Sequence, residues 1–247
     1  MTRCEKRRLE EEFDVAPVVS VEDRLEWDFP FAVRLDFDAP PPEDFKETME
    51  TGVKNGNCLP ACFAAVLECL HHGEILSKKL GRPARAIRSQ VTSWTKEHWL
   101  NFPVFNPQMT VHEMVSLAHD IGIAESEREE FGHWGEGPQS RYEKYSQQCE
   151  KLYFCEPEMV AFSCMMHERG LGICFRTWRA AREDQDANFV SHVPDPAIMK
   201  SLGYEKVVLV DLLHSGELDG LSAHYRLLDA SSVKNLCTPT ADVDLIF

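Results

Sequence analysis

No run of about 18 apolar residues occurs in this 247-residue chain, so no membrane-spanning helix is expected from it. The basic residues of "MTRCEKRRLEEEFD" are not followed by an apolar core, so no secretory signal is expected there either. Basic charge is scarce: Lys and Arg number 26 against 41 Asp and Glu, a formal net charge of −15. Binding to a phosphate backbone depends on basic surface, so nucleic acid is not an expected partner. No C-x-x-C pair occurs among the nine cysteines, at 4, 58, 62, 69, 149, 155, 164, 174 and 237. Without the usual ligand spacing no structural zinc is expected, and most of the thiols read as small buried hydrophobes of a reducing compartment. The expected location is the cytoplasm, with the nucleus also open. Internal repeats of useful length are missing too.

What remains is an ordinary globular composition, 43% hydrophobic, large enough for one domain with an arm. Residues 1–48 read as an acidic, proline-containing arm. Within it, period-two spacing at Phe31, Val33, Leu35 and Phe37 predicts a short strand or an extended segment docked on the domain. The main domain runs over residues 49–235 and a tail over 236–247. Apolar positions 59, 63, 66, 67 and 70 recur at helical spacing from Asn57 to His71, with Asn55 or Asn57 as the cap and Pro60 tolerated in the first turn. Further helices are predicted over Ala84–Phe102, Thr110–Ile123, Arg141–Leu152 and from Glu156 to Gly170. The third carries a capping box of Thr110 and Glu113. Strands are predicted at Leu171–Trp178, at Lys206–Leu213 (apolar on both faces, as in a central strand) and at Ala223–Ala230. Residues 180–200 read as a polar surface loop. Trp94, Trp99, Phe102 and Phe105 read as core. Helices first and a small sheet after give an α/β (α+β) fold, helices around a small central β-sheet.

Chemistry enters at "KNGNCLPACFAAVLECLHH". A glycine-containing turn delivers Cys58 onto the first turn of an apolar helix, where unpaired N–H groups and the helix dipole favour a thiolate. Amides around Asn55, Gly56, Asn57 and Cys58 can point together as an oxyanion hole. Cys62 and Cys69 lie farther along the helix, on or near its buried side. Such a thiol needs a base brought to it by the fold. Of ten histidines, those at 71, 72, 98, 112, 119 and 167 fall on helices, where surface or half-buried positions are usual, and those at 133, 192 and 214 fall in expected loops. His224, in "SAHYRLL", opens a strand after a glycine-containing turn, a place both rigid and solvent-facing.

Together "NGNCLPACFAAVL" and "SAHYRLL" resemble the ovarian tumour (OTU) family of cysteine deubiquitinases. There a D-G-N-C turn starts the nucleophile helix and a histidine followed by an aromatic lies on a late strand. The segments "IRSQVTSWTKEHWLNF", "RYEKYSQQCEKLYFCEPEMVAFSCMMHERGLGICF" and "KVVLVDLL" fall between them in the family's order. The resemblance spans about Thr51 to Ala230. It implies a papain-type OTU-like fold and thiol-dependent hydrolysis after the C-terminal glycine of ubiquitin or a ubiquitin-like protein. Cys58 would be nucleophile, His224 general base, and Asn55, Gly56 and Asn57 the oxyanion turn. Ubiquitin conjugates would be the partners, and no cofactor or metal is needed. Three positions depart from the pattern: Asn55 replaces an aspartate, Pro60 replaces an aromatic, and Arg226 stands where the family often has the Asn or Asp that orients the imidazole. Asp211, Asp219 and Asp229 are nearby acceptors in sequence. The alternatives are a catalytically impaired OTU-like module that binds ubiquitin or another partner, and an unrelated papain-like peptidase or transferase using the same Cys and His.

Overall fold

The structure is a computed structural model, and it describes residues 33–34, 47–49, 56–72, 80–122, 137–179, 188–204, 206–215 and 224–228. Two short strands come first, β1 (Val33–Arg34) and β2 (Glu47–Met49). Five helices follow: α1 (Cys58–His72), α2 (Gly81–Glu97), α3 (Val111–Gly122), α4 (Pro138–Gln148) and α5 (Glu156–His167). Then come β3 (Ile173–Arg179), β4 (Asn188–Val193), α6 (Pro196–Ser201), β5 (Lys206–Ser215) and β6 (His224–Leu228). The sheet order is β2-β6-β5-β3-β4, with β1 added on β5. Only β3 and β5 run parallel, in register from Ile173 opposite Val208 to Arg179 opposite His214. All other pairs are antiparallel. The chain is therefore of mixed helix and strand, with the helical half before the main sheet.

The helix boundaries follow local chemistry. At α3, Glu113 reaches back to accept from the Thr110 N–H (2.9 Å) and from its hydroxyl (2.7 Å). The hydroxyl is thus turned toward Glu113 as a donor. At α5, Pro157 occupies the first turn, and Gly170, at φ 81, ends the helical segment. The Leu171 N–H then bonds back to the Met166 carbonyl at 2.8 Å. Helix α2 starts and stops earlier than its apolar spacing suggests, because Glu97 closes it and His98 to Leu100 form a turn.

Three expectations are corrected. Residues 180–200 are not one surface loop. Asn188–Val193 form β4 on the edge of the sheet against β3, and Pro196–Ser201 form α6, whose cap Asp195 accepts from the Ala197 N–H at 2.7 Å. The "NFVSHV" alternation is a strand signal masked by its polar neighbours. His192 therefore lies on a strand, and so does His214, because β5 runs two residues beyond Leu213 to Ser215; neither is in a loop. Phe102 is 59% exposed, whereas Trp94 on α2 and Trp99 and Phe105 on the link between α2 and α3 are buried; on that link no helical periodicity sets which side chains face the core. Val33 and Arg34, inside the period-two stretch of the arm, pair with β5.

Helix α1 is buried around its whole girth from Cys58 to Leu67, so it runs through the middle of the fold. Small residues (Ala61, Cys62, Ala64, Ala65) allow neighbours to approach on several sides. Phe63 stacks on Phe162 of α5 (ring centroids 4.3 Å) and meets Phe175 of β3 at 5.1 Å. This aromatic trio joins α1, α5 and the sheet, and all three side chains are fully buried. Strand β5 is central, as expected, but it carries a buried charge: Asp211 pairs with Arg176 through Nε (2.5 Å) and Nη2 (2.9 Å), and Trp178 Nε1 donates to it at 2.9 Å.

Replacing Phe63 by Ala leaves a cavity at that junction and is expected to cost about 3–5 kcal/mol of stability in a urea titration. Stability is also expected to fall at alkaline pH. Burial pushes the Cys164 thiol up to about 12. The unfolded thiol loses its proton near pH 8.5, while the folded one keeps it. The contribution is therefore complete below ~8.5 and declines as pH rises toward 12. Cys62 and Cys174, also raised by burial, act in the same sense. Between pH 8 and pH 10 the Cys164→Ala variant is expected to lose about 2 kcal/mol less than wild type, read by urea unfolding at both values.

Candidate active site

Gly56 adopts φ 74, a conformation that an L side chain rarely takes, and it lies beside α2 and the chain leaving α4. A Cβ there would meet Arg88 Nη2 at 3.4 Å and the Leu152 carbonyl at 3.5 Å. Asn57 takes the capping position of α1, its carbonyl accepting the first helical bond from the Ala61 N–H at 2.9 Å. Cys58 follows as the first residue of the helix. Asn55 lies outside the described residues.

The turn is held by one residue that the sequence reading did not single out. Arg88, on α2 and 2% exposed, donates from Nε to Asn57 Oδ1 (2.7 Å) and from Nη2 to the Gly56 carbonyl (2.5 Å). Its Nη1 reaches the carbonyls of Cys149 and Leu152, both at 2.9 Å, and its guanidinium lies 4.3 Å from the centre of the Phe154 ring. A rigid planar fork suits this task, because donors on one plane satisfy carbonyls from two separate segments. The signal was present in the sequence: Arg88 shares a stripe with Ala84, Ile87 and Val91, and a lone arginine on a buried face must have partners.

At the other side of Cys58 lies the start of β6. The thiol is almost fully buried, and burial raises its pKa above the ordinary value. Opposing that are backbone amides, first that of Tyr225, then those of Leu59 and Cys58 itself, and the charge of Arg88. The Tyr225 amide is the one that joins it to His224. One turn along α1, the Cys62 thiol donates to the Tyr225 carbonyl at 3.8 Å. So the structure lays the cysteine helix along the strand that His224 opens, bringing together two segments far apart in sequence. His224 is half-buried and pairs with Ser215 of β5.

Arg226 falls on the same face of β6 as His224, since alternate strand residues share a face. It stands opposite Leu213. A guanidinium cannot accept the imidazole N–H. Asp211 is not the missing acceptor: its carboxylate is committed to Arg176 and Trp178, and it lies four residues before Ser215, about 13 Å along β5 from the level of His224. Asp219 and Asp229 lie outside the described residues. Cys62 and Cys69 are buried, as expected of structural thiols, and burial holds Cys62 well above the ordinary thiol range. His119 departs from the surface or half-buried position expected of helical histidines, being 6% exposed.

Comparison of the chain with protein-family models, with curated proteins and with solved structures finds no match in any of the three. Among the described residues no helix is long and apolar enough to cross a membrane.

Arg88→Gln removes the charge that favours the Cys58 thiolate and leaves buried carbonyls without a donor. The alkylation rate of Cys58, followed by peptide mass against pH, is expected to shift to higher pH. The variant should also lose about 1–3 kcal/mol for each acceptor left dry.

Proposed function

We propose that this chain is a thiol-dependent deubiquitinase of the OTU type, hydrolysing the bond after the C-terminal glycine of ubiquitin or a ubiquitin-like protein. The single observation that supports this most is the Cys58 sulfur against the amide joining His224 to Tyr225. The helix of the "NGNC" turn thus lies along the strand that the "HY" pair opens, with Cys58 and Cys62 beside the Tyr225 backbone. An arginine-braced turn before the cysteine adds to it, because an oxyanion hole requires amides that do not move when charge develops.

In this reading Cys58 rests as a thiol, since its burial favours the neutral form. His224 accepts the thiol proton as the sulfur attacks the scissile carbonyl. The negative oxygen that forms is met by backbone amides of the Gly56–Cys58 turn. His224 then returns the proton to the leaving lysine amine, and water releases the acyl group by the reverse sequence. Arg226, on the same strand face, cannot accept from the imidazole, so the group that orients His224 is another one. The chemistry uses no cofactor, and the partners are ubiquitin or ubiquitin-like conjugates in the cytoplasm or nucleus.

A second reading draws on the same site. The buried, raised thiol weighs against thiolate formation, and Arg226 offers no acceptor to orient His224; both favour a catalytically impaired module that binds ubiquitin or another partner without cleaving it. A ubiquitin probe with a C-terminal electrophile separates the two. Wild type is expected to form a covalent adduct, Cys58→Ala none, and His224→Ala an adduct slowed by about 10²–10⁴-fold. A folded wild type that binds ubiquitin without an adduct would sink the peptidase reading. A gain of adduct on Arg226→Asn would then assign the impairment to that side chain.

A further inference from the structure

Away from the Cys58 turn, three side chains of different chemistry converge. His119 lies near the end of α3, Cys155 just before α5, and Glu158 in the first turn of α5. One ligand atom from each, imidazole nitrogen, thiol sulfur and carboxylate oxygen, lies within 4.8 Å of the other two. His119 and Glu158 are buried, and Cys155 is partly so. The carboxylate is the hub. Its Oε1 lies 3.1 Å from His119 Nε2, and its Oε2 accepts from the Cys155 N–H at 2.8 Å. The Cys155 sulfur in turn accepts from the Glu158 N–H, closing a capping box around the start of α5.

A capping box accounts for the backbone bonds but not for the sulfur. The residues that cap well at this position, Ser, Thr, Asp and Asn, offer oxygen, and a thiol is a weak acceptor. Sulfur adds what those residues lack, a soft ligand, next to an imidazole and a carboxylate. We propose that Cys155, Glu158 and His119 form a binding site for a divalent ion of the zinc class. A thiolate, an imidazole and a carboxylate are the donors zinc takes. Magnesium and calcium prefer all-oxygen sites. Bond lengths of ~2.0–2.3 Å at tetrahedral angles place ligand atoms ~3.3–3.8 Å apart; here His119 Nε2 and Glu158 Oε1 are 3.1 Å apart and the sulfur lies within 4.8 Å of both.

Protons and charge balance. On binding, the Cys155 thiol proton leaves to solvent, and His119 offers Nε2 with any remaining ring proton on Nδ1. A dication with one thiolate and one carboxylate leaves the cluster neutral, which suits burial. Three protein ligands leave one position for water. Other charged or titratable groups that sense these residues include the Tyr225 and Tyr145 hydroxyls, Glu156 and Arg88. The ion would tie α3 to α5 beneath the strand whose backbone meets Cys58. The proposal does not depend on the peptidase reading.

The test uses the full chain, stripped with a chelator and titrated with Co²⁺ and then Zn²⁺. Wild type is expected to take up one equivalent of Co²⁺ with a thiolate-to-cobalt charge-transfer band, to lose that band to Zn²⁺, and to melt at a higher temperature with either ion. Cys155→Ser keeps a capping oxygen, so it is expected to fold. It should lose the band and bind about a hundredfold more weakly; His119→Gln, which keeps the thiolate, should bind about a hundredfold more weakly with the band intact on what binds. Cys58→Ala should retain the band. Failure of wild type to bind one equivalent overturns the proposal. So does an unchanged band in folded Cys155→Ser, or loss of the band in Cys58→Ala, which would assign the ion to the other thiol.

Discussion

The guanidinium of Arg88 is the constraint on which the candidate site rests. It is a charge in the interior, and its cost in desolvation is offset only by the acceptors gathered around it: the Asn57 side chain and the carbonyls of Gly56, Cys149 and Leu152. Those acceptors come from two segments that do not otherwise share secondary structure, the turn before α1 and the exit of α4. Fixing both to α2 fixes where α1 begins. That in turn decides where the Cys58 sulfur points. Burial of the thiol and the bracing of its turn are therefore one arrangement, and its electrostatic consequence is mixed. The apolar surroundings raise the thiol pKa while Arg88 and the Tyr225 amide oppose that rise.

The sheet gives the arrangement its other half. β5 is central, with β6 antiparallel on one side and β3 parallel on the other. Its buried Asp211 is matched on β3 by Arg176, directly opposite in register. This pairing draws the carboxylate along the sheet toward Arg176 and Trp178, away from the level of His224. The aromatic trio Phe63, Phe162 and Phe175 then clamps α1 and α5 to β3, so the start of β6 and the start of α1 are located by the same core.

Much of the local structure was legible in the sequence because its causes lie within a few residues. Thr110 with Glu113, Pro157, Gly170 and the β-branched run of β5 mark element ends and types by short-range bonds and fixed dihedrals. β4 and α6 were not legible, since their polar composition resembles a loop and only pairing with β3 and the Asp195 cap distinguish them. Phe102 was misjudged because aromatic character alone does not say which side of a chain faces the core.

At the site the division is sharper. The sequence by itself determined the glycine turn, the cysteine at a helix start and the histidine at a strand start, since each is a local device with a recognisable residue order. Only the tertiary structure decided that Arg88 braces that turn, that Cys58 meets the His224–Tyr225 amide, that Asp211 belongs to Arg176, and that His119 turns inward to Glu158 and Cys155. Each of these joins residues dozens of positions apart. Such partners are chosen by how helices pack on a sheet and by the need of every buried polar group for a partner. Neither is written in the spacing of a single segment.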